Sequence, residues 1–298
     1  MNASVSLLGR VLPAIVHLEA RIPSEHPSVR LLGVDRMGSG TVIDPSGLIL
    51  TVNYVVIGAQ EVTVTMLDRR QLTAEVVRHD FQSGLALLRV PERGLPTLPL
   101  APSTEIALGD DVFIVASVGD HEARVANGNV TYLGKFDANW EYMLDRCIMT
   151  TAMNPGLGGG PLVDRSGRAV GVVSLNMNEI GRFSMAVPSE YFLEARDAFL
   201  AAGPRGMGGH AWLGVFCYAI EDSVVIAGVM PGAPGERAGL RPGDVVTAID
   251  GEPVADRAGL YRAVSRRTPG AAVALTVTRG ERQVVVEVSS GDVVEFFA

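Results

Sequence analysis

Asn154-Pro155-Gly156-Leu157-Gly158-Gly159-Gly160-Pro161-Leu162-Val163 is the stretch on which the reading of this 298-residue chain turns. Glycines ahead of a short apolar run describe a tight turn entering a strand. Such a turn can bare successive backbone N–H groups as an anion-binding nest. A phosphate loop, however, continues into Lys-Ser/Thr and a helix, and neither follows here. The stretch therefore reads as a loop that shapes a site for something other than a nucleotide.

Outward from that loop, residues 16 to 175 carry short β runs between Gly, Pro and Asp turns: Val16–Ala20, Thr41–Ile43, Ile49–Val52, Val62–Met66, Leu85–Val90, Val112–Ala116 and Val170–Leu175. Their spacing suggests an all-β barrel or sandwich. Ser189 to Ala202 carries Phe192, Ala195 and Phe199 at helical spacing, with Ser189 as a candidate cap, and stops at Gly203-Pro204. Gly203–His210, dense in glycine, reads as a linker. Beyond it, runs at Val215–Ala219, Val224–Val229, Val245–Ile249, Val273–Val277 and Val284–Val288 surround a helical segment near Asp256–Arg267, a separate small α+β module.

Composition narrows the function classes. The chain is 47% hydrophobic and 19% charged, with 34 Gly and 17 Pro, which fits a globular chain rich in turns. A net charge of −8 repels phosphate, so the electrostatic footprint of a nucleic-acid or anionic-membrane binder is missing. Cys147 and Cys217 lie far apart and read as buried free thiols; no histidine spacing suggests a metal, and no cofactor is called for. Arg10 and Pro13 interrupt the N-terminal apolar residues before a signal-peptide core or membrane span can form, so the expected location is cytoplasmic, or periplasmic if a leader has been removed.

The loop at 154–163 closely resembles the nucleophile loop of chymotrypsin-like serine proteases of the HtrA/Deg family, N-P-G-N-S-G-G-P-L-V. Leu12–Val16 resembles the family's entry strand, and Gly38-Ser39-Gly40-Thr41-Val42-Ile43-Asp44-Pro45-Ser46-Gly47-Leu48-Ile49-Leu50-Thr51 follows its G-S-G-x-I-I-D-x-x-G-x-I-L-T. Arg124–Val130 is similar to the T-V-T-x-G-I-V strand, and Met185-Ala186-Val187-Pro188 to the F-A-I-P of the specificity wall. The resemblance implies a chymotrypsin-like pair of six-stranded β-barrels over residues 1–202, a linker at 203–210, a PDZ domain at 211–290 and a tail at 291–298.

The same correspondence implies a pseudoprotease. Where the family has N-H-V-V the chain has Asn53-Tyr54-Val55-Val56; where it has T-D-L-A, Ser83-Gly84-Leu85-Ala86; where it has G-N-S-G-G, Gly156-Leu157-Gly158-Gly159-Gly160. A phenol with pKa near 10 cannot deprotonate a serine at neutral pH. Gly84 orients nothing, and Gly158 carries no atom to attack a carbonyl; Gly156 and Leu157 are left as a remnant oxyanion loop. Substitutes for the missing groups are Ser83, Asp80, His79 and His121, none of them in the nucleophile loop. Gly158 reads either as drift on a loop that already depends on glycine at positive φ, or as an opening for another ligand. Tyr54 reads as packing or as a displayed hydroxyl.

In the second module, Trp212-Leu213-Gly214-Val215 resembles the carboxylate-binding loop of a bacterial PDZ domain, and Pro231–Val246 follows the family's P-x-S-P-A-x-x-A-G-L-x-x-G-D-x-I. Asp250-Gly251 supplies a type I′ turn. The resemblance implies that an extended peptide adds along Val215, Phe216 and Cys217, with its terminal carboxylate on the N–H groups of Leu213, Gly214 and Val215. Leu260, Ala263 and Val264 would wall the pocket for the last side chain, or serve simply as core. The apolar end Val293-Val294-Glu295-Phe296-Phe297-Ala298 reads as a last strand or frayed tail, with docking in its own or a neighbour's groove as the alternative.

The resulting expectation is a silent HtrA-like scaffold or regulator that binds C-terminal or extended peptides, with an active homologue as a candidate partner and no membrane insertion. A residual endopeptidase is one alternative. A ligand or metal binder using Tyr54, Asp80 and His121 is another. Family trimers use N-terminal aromatic residues, and none occurs before Tyr54, which argues against that assembly while leaving other oligomers open.

Overall fold

The computed structural model describes residues 3–119, 122–177, 181–201, 207, 209–221 and 223–297. The chain divides into two compact units: Met1–Gly134 with Asp145–Met207, and Lys135–Leu144 with Gly208–Ala298.

The first unit holds two closed six-stranded barrels. One is built from β1 (Ile15–Arg21), β2 (Asp35–Asp44), β3 (Leu48–Val52), β4 (Glu61–Met66), β5 (Gln71–His79) and β6 (Leu85–Arg89), in the order β1-β2-β3-β6-β5-β4. The other uses β7 (Asp111–Gly119), β8 (Glu122–Asp137), β9 (Met143–Thr150), β10 (Pro161–Val163), β11 (Ala169–Asn176) and β12 (Ser184–Pro188), in the order β10-β11-β12-β9-β8-β7. Closure removes sheet edges in each barrel. Every residue of β3 is buried, which is why Leu48-Ile49-Leu50-Thr51-Val52 reads as a continuous apolar run. Strand β5 mixes exposed and buried positions, and its Gln, Thr, Glu, Arg and His hid it from the periodicity.

The helix expected over 189–202 is two short ones, Glu190–Glu194 and Arg196–Leu200, broken at Ala195 where φ is −99° and ψ is 13°. Ser189 does not cap it: the hydroxyl donates to the Ala101 carbonyl at 2.5 Å. Phe192 and Phe199 are both buried, their ring centroids 5.1 Å apart, and this contact holds the pair of helices in place. Within the stretch read as a linker, Met207 pairs its main chain with His79 and Phe81 (2.7 and 3.0 Å).

In the second unit, β13 (Ala211–Trp212), β14 (Val215–Ile220), β15 (Ser223–Val229), β16 (Val245–Ile249), β17 (Glu252–Pro253), β18 (Ala272–Arg279), β19 (Arg282–Ser289) and β20 (Gly291–Asp292) form a main sheet ordered β14-β15-β16-β18-β19, with β17 on β16 and β13 paired to β20. Asp250 and Gly251 sit at φ 50° and 85°, the two positive values a type I′ turn requires. The helix Arg257–Ser265 is capped by the Asp256 side chain and buries Leu260, Tyr261 and Val264 against the sheet.

Residues 291–297 form a short last strand and a helical turn and do not lie along β14 of their own module. Residues 291–292 pair with Ala211–Trp212, a helical turn Val293–Phe296 follows, and the rings of Phe296 and Phe297 lie 4.8 and 5.9 Å from Trp212. Apolar tail residues gain more by covering the Trp212 indole than by extending along a strand edge.

Candidate functional site

The turn Asn53–Val56 leaves β3 with Tyr54 half-buried upon it. Arg36 fixes this turn from below: its Nη1 donates to the carbonyls of Tyr54 and Ile57, both at 3.1 Å, its Nη2 to Ser28 Oγ at 2.6 Å and its Nε to Gly33 O at 3.0 Å. Burial lowers the Arg36 guanidinium to about 10. The Tyr54 hydroxyl donates to the Ser174 carbonyl at 2.8 Å, and burial pushes the phenol up to about 12, so it stays protonated at neutral pH.

Gly84, at φ 73°, accepts from Asn53 N–H at 2.7 Å, so its main chain adjoins the turn that carries Tyr54. Gly158 lies against the Tyr54 hydroxyl. A Cβ built on Gly158 would overlap the Tyr54 hydroxyl, with the Ser174 carbonyl 3.3 Å away. The structure thus brings together Tyr54, Gly84 and Gly158, the three positions read from the sequence.

The loop's dependence on glycine at positive φ falls at Gly159, at φ 98°, where a Cβ would overlap the Ser39 carbonyl. At Gly158 the group in the way of a side chain is the Tyr54 hydroxyl. The amides of the remnant loop are engaged internally: Leu157 N–H donates to Ser117 O at 2.9 Å and Gly156 N–H to Asn154 Oδ1 at 3.3 Å.

The substitute groups lie in their own network. The Ser83 hydroxyl donates to the Asp80 carboxylate, which also accepts from the amides of Gln82 and Ser83 at 3.0 and 3.3 Å. His79 Nδ1 meets Asn53 Oδ1 at 2.6 Å, and burial, aided by the charge of His26, lowers its pKa to about 4. His121 lies outside the described residues. Sequence reasoning missed two serine–imidazole contacts: Ser117 Oγ to His17 Nδ1 at 3.1 Å, both residues only 3% exposed and Ser117 donating to Gly119 O, and Ser28 Oγ to His26 Nδ1 at 2.7 Å, where Ser28 also accepts from Arg36.

In the second unit, Gly214 at φ 76° makes the bend that aims successive N–H groups of Leu213, Gly214 and Val215 at one point. That point holds a side chain the sequence reading did not name. Glu141 Oε2 accepts from Gly214 at 2.6 Å, Val215 at 2.9 Å and Leu213 at 3.3 Å, and Oε1 accepts from Leu213 at 3.0 Å. Next to it, Cys217 N–H donates to Asn139 O at 2.6 Å and Trp140 bridges antiparallel to Phe216. Nothing in the sequence joins Glu141 to a loop more than seventy positions downstream.

Trp212 is 6% exposed under Phe296 and Phe297, Leu260 and Val264 are each 1% exposed within the core, and Ala263 is partly buried against it. The Cys217 side chain is core as well, its thiol pushed up to about 12 by burial, so only its main chain faces the groove. Cys147 is a second buried free thiol.

Residues 38–172 match the trypsin-like peptidase domain family and residues 211–289 the PDZ domain family. A probable periplasmic serine endoprotease DegP-like of Hahella chejuensis is 34% identical over 269 residues, covering 84% of this chain and 56% of that protein. The putative serine protease HhoA of Synechocystis is 31% identical over 278 residues, covering 85% of this chain and 70% of its own length. Among solved structures, the HtrA-type protease AlgW with tripeptide superposes with a TM-score of 0.60 at 26% identity, covering 97% of this chain and 96% of that one. The HtrA-type protease AlgW with decapeptide gives 0.59 at 25%, covering 98% and 99%. Fold and matches together define a trypsin-like peptidase domain followed by a PDZ domain. The chain belongs to the HtrA/DegP family of serine proteases. It spans just over half the length of the DegP-like relative.

Proposed function

We propose that this chain is a catalytically silent member of its family, a pseudoprotease that serves as a peptide-binding scaffold or regulator through its PDZ groove. The observation that carries the reading is the fit between Tyr54 and Gly158, where a phenol hydroxyl fills the space from which a side chain at 158 would grow. A hydrolase of this type needs a nucleophile and a base with a pKa near the working pH. Glycine supplies no nucleophile, and a phenol held near 12 is no base. The peptide-binding half rests on the Leu213–Val215 bend, the position of β14 at the end of its sheet and the likeness to AlgW solved with peptides. Its DegP-like relatives are named periplasmic, which favours an extracytoplasmic location for this chain too.

Incubation of the purified protein with a fluorophosphonate probe and with casein tests the silent half. No labelling and no cleavage are expected. Labelling or cleavage that survives removal of copurifying proteases overturns it in favour of a residual serine endopeptidase, the activity for which the curated relatives are named.

A further inference from the structure

The peptide groove of the second unit already contains a peptide, a segment of the same unit. Three observations coincide there. First, the N–H groups of Leu213, Gly214 and Val215, which a terminal carboxylate would take, all donate to the Glu141 side chain. Second, the segment ahead of Glu141 meets the outer edge of β14 antiparallel, through the Asn139–Cys217 hydrogen bond and the isolated Trp140–Phe216 bridge, on the edge where an added strand would pair. Third, the segment is tied at its other end: Arg257 Nε meets Asp137 Oδ2 at 2.7 Å, its Nη2 donates to Asp137 O at 2.8 Å, and its Nη1 to Cys217 O at 3.2 Å. Around this, Tyr142 O accepts from Ala138 N–H at 2.9 Å, the Trp140 and Tyr142 rings stack at 6.3 Å, and Met143 packs on the unit's core.

We propose that Asp137–Tyr142 is an internal ligand of the peptide groove, with the Glu141 side chain standing in for a C-terminal carboxylate, so that an outside peptide binds only by displacing it. This rests on the reading of the module as a peptide binder. A tethered ligand competes at an effective concentration in the millimolar range. An outside peptide meets only the open fraction of molecules, and its apparent Kd is the intrinsic value divided by that fraction. With minor states commonly populated at about 0.1–10%, release of the clamp raises affinity about tenfold or more.

The test is fluorescence polarisation on the full chain, using labelled random decapeptide pools with free and with amidated C-termini. Glu141→Ala is expected to bind the free-carboxyl pool at least about tenfold more tightly than wild type, with no gain for the amidated pool. Asp137→Asn, which cuts the Arg257 tie, is expected to give a smaller gain in the same direction. Glu141→Ser, whose short side chain does not reach the three amides, replaces Glu141→Ala if that variant melts early. Equal affinity of wild type and variants for the free-carboxyl pool overturns the internal ligand while leaving the groove a peptide binder. Absence of binding by every folded variant overturns the peptide-binding reading itself, and the internal ligand with it.

Discussion

The Tyr54 hydroxyl occupies the space into which the Cβ of any residue at 158 would have to be built, and a 2.8 Å hydrogen bond to the Ser174 carbonyl keeps it there. The two residues belong to different barrels and are complementary in volume, one large and one with no side chain at all. With the phenol in this place, a glycine at 158 is the residue that fits without displacing it.

Serine introduced alone at position 158 must push this phenol aside. Gly158→Ser is expected to cost about 1–3 kcal/mol, as overpacking does. Tyr54→His with Gly158→Ser is expected to recover at least about 1 kcal/mol relative to the sum of the single changes. Thermal or denaturant unfolding of the four proteins measures the coupling; additive costs would mean that the two side chains do not collide.

Gly84→Asp in that background is expected to cost a further ~1 kcal/mol, because position 84 sits at φ 73° where a side chain is strained. Unfolding of the triple variant against the double variant reads this directly.

Acid acts on the first unit through His79. Burial lowers its pKa from 6.5 to about 4, so the folded state holds it neutral while the unfolded chain takes up a proton. Its contribution is present above pH 6.5 and is lost as pH falls toward 4, by about 1–3 kcal/mol. His79→Gln, which keeps a hydrogen-bonding partner for Asn53, is expected to flatten the decline in Tm between pH 7 and 4.5; an unchanged decline assigns it to other groups.

The second unit responds to pH in the opposite sense. Burial raises the Glu141 carboxyl to about 7 against the pull of the Val215, Leu213 and Gly214 amides, while Cys217, Tyr261, Arg257 and Asp137 face the same region. A pKa raised in the clamped state means that clamping takes up a proton. The clamp is thus firmest below about 4.5 and weakens as pH rises through 7. Free-carboxyl peptides are expected to bind wild type severalfold more tightly at pH 8 than at pH 6, and Glu141→Gln with no such difference. A pH dependence that persists in Glu141→Gln would remove Glu141 as its source.

Truncation of residues 295–298 separates the two candidates for the groove. Loss of the Phe296 and Phe297 contacts to Trp212 is expected to lower stability by about 1–3 kcal/mol without improving peptide affinity. A gain in affinity would restore the tail as the occupant.

Much of this was legible from residues with local reasons to be where they are. The continuous apolar run of β3, the Asp250-Gly251 turn and the Leu213–Val215 bend follow from side-chain pattern and glycine conformation. The matching motifs placed Tyr54, Gly84 and Gly158 side by side. The reading failed where non-local contacts decide. The Ser189 hydroxyl donates to the Ala101 carbonyl instead of accepting from the amides of its own helix, and the tail found Trp212. Glu141 is the clearest case: an ordinary acidic residue in a polar connection, given meaning only by amides more than seventy positions away.

The fit at Tyr54 also bears on mutational history. A hydroxyl regained first at 158 meets a phenol already in its place, and an imidazole regained first at 54 faces a glycine and leaves a void. On the pseudoprotease reading proposed above, neither single step is rewarded and the first is penalised, so the pair behaves as a ratchet that would hold a silent lineage away from proteolysis.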